Sequence, residues 1–89
     1  MTFEMRIDVP PDRRFVGMVR ELASKGARQA GCNEAEAVEF AARVEDSARE
    51  QFARCRGDAA VVVTVRQTQA ALEVVIGIPQ GARTLSLVI

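Results

Sequence analysis

Asp46 and Glu50 are the residues of this 89-residue chain with a claim to chemistry. They stand four residues apart, one turn of a helix, and no other carboxylate pair is placed for general acid–base work. A carboxylate can also bind Mg²⁺ through oxygen. The competing reading makes both of them solvated charges in the middle of a polar helix face. Other chemistries fall away. The chain has no His, so imidazole catalysis, His-ligated metals and a Ser–His or Cys–His nucleophile are excluded. Cys32 and Cys55 are the two cysteines, and their separation fits no zinc or redox pattern. Cys55 lies on an apolar helix face, as a small buried hydrophobe does. Cys32 lies at a helix junction, and both thiols are expected to be free, since short staples belong to disulfide-rich secreted domains. Four Phe without Trp or Tyr, mostly at core spacing, give no stacking platform for single-stranded nucleic acid.

The stretch that carries the two carboxylates reads as a helix from Asn33 to Arg56. Its apolar side is Ala37, Phe40, Ala41, Val44, Ala48, Phe52 and Cys55, and its other side is charged, the pattern of a helix lying on a core. Asn33 and Glu36 have capping-box spacing. Glu39–Arg43, Glu45–Arg49 and Glu50–Arg54 are i,i+4 pairs in the favourable order, and Gly57-Asp58 ends the helix. A preceding helix from about Asp12 to Ala30 has Phe15, Val16, Met18, Val19, Leu22, Ala23, Ala27 and Ala30 on its apolar side. Gly26 weakens it, and Gly31 stops it. The two helices must therefore form a tight pair on one side of a sheet.

Strands surround that pair. Phe3 to Val9 alternates, with Phe3, Met5, Ile7 and Val9 on one face, until Pro10-Pro11 stops the ladder. Ala59–Thr68 holds Val61, Val62, Val63 and Val65, a run that predicts a strand covered on both faces or paired with a second subunit. Gln67–Ala71 turns into the return strand Leu72–Ile78, which Pro79-Gln80-Gly81 breaks. Thr84–Ile89 is apolar to its last residue, either a fourth strand or the stump of a helix. The order β-α-α-β-β, then a short strand or helix, predicts one α+β domain over residues 1–89. Two helices would lie on one face of a mostly antiparallel sheet, a two-layer sandwich. Twelve basic residues, eleven of them Arg, cancel twelve acidic ones, which argues against nucleic acid or an anionic membrane as a partner. No apolar run reaches the roughly 20 residues of a membrane span, and no signal peptide is read, so the expected location is the cytoplasm.

The element order resembles the bacterial anti-sigma factor and serine-kinase branch of the histidine-kinase-like (GHKL) ATPases. The resemblance rests on the opening strand with PPDRRFVGMVRELASKGARQAG, on AEAVEFAARVEDSAREQFA and on LEVVIGIPQGAR. It implies an N box in the second helix, a carboxylate followed four residues later by Asn. That carboxylate positions or activates a water or hydroxyl, and the Asn holds Mg²⁺ on the nucleotide phosphates. Aligning Val44, Ala48 and Phe52 with the family's apolar positions puts Asp46 at the carboxylate and Glu50 at the Asn, where it adds negative charge beside a triphosphate. The family's adenine-binding Asp would fall in Ile76-Gly77-Ile78-Pro79-Gln80-Gly81. Ile78 or a neighbour stands in its place, and no acid follows Glu73. The phosphate-seating Gly-x-Gly-Leu turn would fall on ARTLSLVI, where Ala82 and Thr84 replace both glycines and crowd the loop. The lid between these motifs is expected to be almost absent, and the family's closing helix has no counterpart in the stretch.

The resemblance thus implies a degenerate, shortened relative without catalytic residues, bound cofactor or metal. Asp46 and Glu50 are the altered N-box positions. Gly77, Ile78, Gly81, Ala82 and Thr84 are the altered nucleotide positions. The expectation is a non-catalytic regulatory domain that acts through protein contacts as a homodimer. A sigma factor or an antagonist protein is its further partner. The small core, the valine-rich strand and the apolar end favour pairing. Strand 1 and the first helix, with Arg13, Arg14 and Arg20, are candidate surfaces by exclusion. Two alternatives stand beside it: an ATP- and Mg²⁺-dependent serine kinase using Asp46 and Glu50, and an unrelated small α+β interaction domain.

Overall fold

A computed structural model describes residues 3–55, 60–78 and 81–88. Among them the chain forms β1 (Phe3–Val9), a 3-10 turn (Arg13–Phe15), α1 (Val16–Gln29), α2 (Glu34–Arg54), β2 (Val61–Gln67), β3 (Ala71–Ile78) and β4 (Gly81–Val88). The strands make one sheet in the order β1-β2-β3-β4, antiparallel throughout. Both helices pack on one face of it, so the two-layer α+β sandwich expected from the element order is the fold. The open choice for the last segment resolves as a strand, longer at its start than the Thr84–Ile89 reading.

Local chemistry sets the helix ends. Asp12 caps the 3-10 turn by accepting the Arg14 N–H at 2.9 Å, and the α-helix proper begins only at Val16. The Arg14 guanidinium and backbone N–H also hold the Asp12 carboxyl below its ordinary range. At the other end the Cys32 N–H donates to the Ala27 carbonyl and the Gly31 N–H to Arg28, both at 3.1 Å. This is a Schellman closure, and Gly31 supplies it with φ of +94°. Two residues later Asn33 Oδ1 accepts the Glu36 N–H at 2.8 Å, and Glu36 accepts the Asn33 N–H at 3.3 Å. The capping box is therefore complete. The second helix ends at Arg54, with Cys55 as its cap, short of the expected Arg56. The predicted stop at Gly57-Asp58 and the break at Pro79-Gln80 lie outside the described residues.

The core sits between the helix pair and the central strands. Val61, Val63 and Val65 of β2 and Leu72, Val74 and Ile76 of β3 are buried against Val19, Ala23, Phe40, Val44 and Ala48. Small residues on the helices let the layers approach. A Cβ added at Gly26 would sit 3.5 Å from both Leu72 methyls and 3.6 Å from Val65 Cγ1. The valine run is not covered on both faces as expected. Its residues alternate between buried and half-buried, and Val62 and Thr64 point to the face that no helix covers. That open face is held by an ionic strip across three strands: Arg66 meets Glu4 at 3.0 Å and Glu73 at 3.6 Å. Of the apolar face of β1 only Val9 is buried, and Met5 is 38% exposed, because β1 lies beyond the cover of α1. Met18, read as core, is exposed as well.

Gly26 within α1 and Gly31 just past its end should respond oppositely to alanine. Gly26→Ala fills ordinary van der Waals space and improves helix propensity, so it should stabilise by about 0.5–1 kcal/mol. Gly31→Ala forces a side chain into the left-handed region and should cost about 1–2 kcal/mol. Urea unfolding of both variants checks the pair of signs.

Candidate functional site

The second helix and the edge strand enclose an open groove of about 490 Å³. Arg43, Asp46, Ser47 and Glu50 line it from α2, and Arg83, Thr84, Leu85 and Ser86 line it from β4. The helix residues meet there because 43, 46/47 and 50 recur at helical spacing on the side turned toward the sheet edge. The strand residues meet there because β4 is the last strand, and the helix pair ends before covering it. Leu85 and Leu87, in phase with Leu72 and Val74 across the ladder, are consequently only half-buried.

The groove brings together three of the residues singled out from sequence: Asp46, Glu50 and Thr84. The others lie apart from it. Gly77 pairs with Ala82, and Ile78 pairs with Gly81. Gly77 is half-buried on β3, where an added Cβ would meet the Val62 carbonyl at 3.6 Å. Ala82 and Gly81, the latter with φ of +146°, open β4 on its exposed end. Thr84 pairs with Val75 inside the ladder.

The two carboxylates are engaged in surface ion pairs. Asp46 meets Arg49 at 3.3 Å and Glu50 meets Arg54 at 3.4 Å. Arg49 also reaches Glu45 at 3.5 Å, and Glu45 reaches Arg20 on α1 at 3.7 Å. The predicted Glu39–Arg43 pair does not form. Arg43 instead lies 5.6 Å from the centre of the Phe40 ring, a cation–π contact. Arg43 and Arg83 have no ion-pair partner among the described residues. Of the candidate surface residues, Arg14 is tied to Asp12 at 2.8 Å and Arg20 to Glu45.

Sequence reasoning missed Arg43, Ser47, Arg83, Leu85 and Ser86 as groove residues. The period-two phase of β4 contained the signal for one of them, since Arg83 falls in step with Leu85 and Leu87 and so faces the helix layer. Ser47 is the other unread feature. It is buried at the floor of the groove lining, and its hydroxyl finds no partner among the described residues. Cys32 is a free thiol. Burial, helped by the nearby Glu36 carboxylate, pushes the Cys32 thiol up, away from ready ionisation at neutral pH. Among the described residues no cluster of three or more metal-ligating side chains occurs, and no helix is long and apolar enough to cross a membrane.

Fold and groove together define a small two-layer α+β domain with a polar cleft along one sheet edge. No protein-family model matches the chain, and no curated protein matches it.

The orphaned hydroxyl gives a stability test. Ser47→Ala removes a desolvated group that gains nothing in return and adds helix propensity, so it should stabilise by about 1–2 kcal/mol. Chemical denaturation measures it, and a loss of stability would mean that Oγ is satisfied in solution.

Proposed function

We propose that this chain is a non-catalytic regulatory domain of the anti-sigma-factor type that has given up nucleotide binding and works through protein contacts. It acts as a homodimer in the cytoplasm, and its further partner is a sigma factor or a small antagonist protein. The helix pair inserted between β1 and β2, ahead of the β2–β3 hairpin, supports the family resemblance that sets this reading.

The observation that carries the loss of nucleotide binding is the course of β4. Residues 81–88 run as a strand paired with β3 from Gly81 to Val88. A phosphate-seating turn would have to bend at Ala82–Thr84 and present free amides at a helix N-terminus. In a ladder the backbone amides at these positions are extended, and both positions carry side chains. Across the groove, Glu50 stands where the resemblance implies an Asn and adds negative charge beside a triphosphate, and its partner is Arg54. Asp46 is likewise engaged by Arg49. These features weigh against an adenine nucleotide with Mg²⁺ in the groove.

Calorimetric titration with ATP and ADP plus Mg²⁺ tests this reading. No heat of binding is expected at millimolar nucleotide. A dissociation constant below about 100 µM, equivalent to about 5.5 kcal/mol, would contradict it and bring the serine-kinase alternative forward.

A further inference from the structure

The two edges of the sheet are built differently. β1 carries Glu4, Arg6 and Asp8 on the sheet's open face, behind its own partly exposed Phe3, Met5 and Ile7, and runs into Pro10-Pro11, the charges and prolines that keep an edge from pairing. β4, of equal standing at the other edge, has the sequence GARTLSLV, with one charge and no proline. Its helix-facing side chains Leu85 and Leu87 are half-exposed. The groove beside it carries both signs, Arg43 and Arg83 against Asp46 and Glu50.

We propose that a second copy of this chain pairs antiparallel along the outer edge of β4, with Arg83 of each copy entering the other's α2–β4 groove against Asp46 and Glu50. The inference rests on the dimeric reading above and names its interface. The two sheets become one continuous sheet of eight strands. Strand spacing of about 4.8 Å brings the helix-facing side chains of the incoming β4 next to Leu85 and Leu87, so each copy covers the apolar margin that the other's helices leave open. A two-fold axis requires a patch complementary to itself. A cleft with two cations and two carboxylates meets that requirement. A purely acidic peptide would meet Asp46 and Glu50 with the wrong sign. The sheet's open face is the poorer surface, because burying it would desolvate the Glu4–Arg66–Glu73 strip.

Charge reversal in two separate chains tests the pairing. One variant is Arg83→Glu, and the other is Asp46→Arg with Glu50→Arg. Sedimentation over a concentration series should give a dimer for the wild type. Each variant alone should dimerise at least about tenfold more weakly. An equimolar mixture should recover the wild-type affinity as a heterodimer, because both of its grooves then hold opposite charges. Contacts within one chain cannot be restored by mixing. A monomeric wild type overturns this interface together with the dimeric reading. A wild-type dimer whose variants dimerise unchanged, or whose mixture gains nothing, overturns the β4 interface and leaves the dimer standing. Amide hydrogen exchange of the wild type keeps the proposal testable should a variant fail to fold. Protection of residues 81–88 should rise with protein concentration while that of β1 stays level, and the reverse pattern overturns the proposal.

Discussion

The packing of one helix pair over two central strands is the constraint on which the rest of this structure depends. Helices lie about 8–10 Å apart and strands about 4.8 Å apart, so a pair seated over β2 and β3 cannot fully roof four strands. The seat is fixed by small residues, Ala23, Gly26, Ala27, Ala37, Ala41 and Ala48, which let α1 and α2 approach each other and the sheet. The consequence is symmetrical in geometry and unequal in chemistry. Both outer strands are half-covered and show apolar side chains at the helix-facing margin, but β1 also carries Glu4, Arg6 and Asp8 and runs into two prolines, whereas β4 carries one charge and no proline.

That inequality gives the groove its character. It exists because α2 overhangs an edge strand without sealing against it. The helix presents alternating charges there, each carboxylate engaged by an arginine of its own helix, and the strand adds Arg83 from the phase that would otherwise be core. A nucleotide would require bent, glycine-lined backbone at this place. A strand from another copy requires straight backbone with free hydrogen-bonding groups, and straight backbone is what the β3–β4 pairing provides. The same feature that weighs against nucleotide chemistry weighs in favour of strand pairing.

Much of this was legible in the sequence where the determinants are local. Asn33 and Glu36 announce the start of α2, and Gly31 announces the end of α1, because caps are written within four or five residues. The helix order and the face of α2 follow from its period. Most of what escaped was non-local, with the start of α1 the local exception. The late start of α1 comes from Asp12 closing a tight turn on Arg14 before the helix proper begins. The valine run of β2 looks doubly buried, yet Val62 and Thr64 are sheltered only by neighbouring strands, which suits β-branched side chains. Asp46 and Glu50 could be placed on one side of a helix from spacing alone. That Thr84 and Arg83 would lie opposite them depends on the β3–β4 register, which no short stretch of sequence encodes. The exposure of Met5 has the same origin, since it reflects how far the helix layer reaches over β1.

On the reading proposed above, the α2–β4 groove receives protein and not nucleotide. Backbone amide NMR of the labelled chain, followed through dilution and separately through addition of Mg²⁺ and ATP, tests it at the residues concerned. Resonances of Arg43–Glu50 and of Arg83–Ser86 should move together on dilution and stay fixed when nucleotide is added. Saturable shifts of those resonances with Mg²⁺·ATP, and none on dilution, would contradict it.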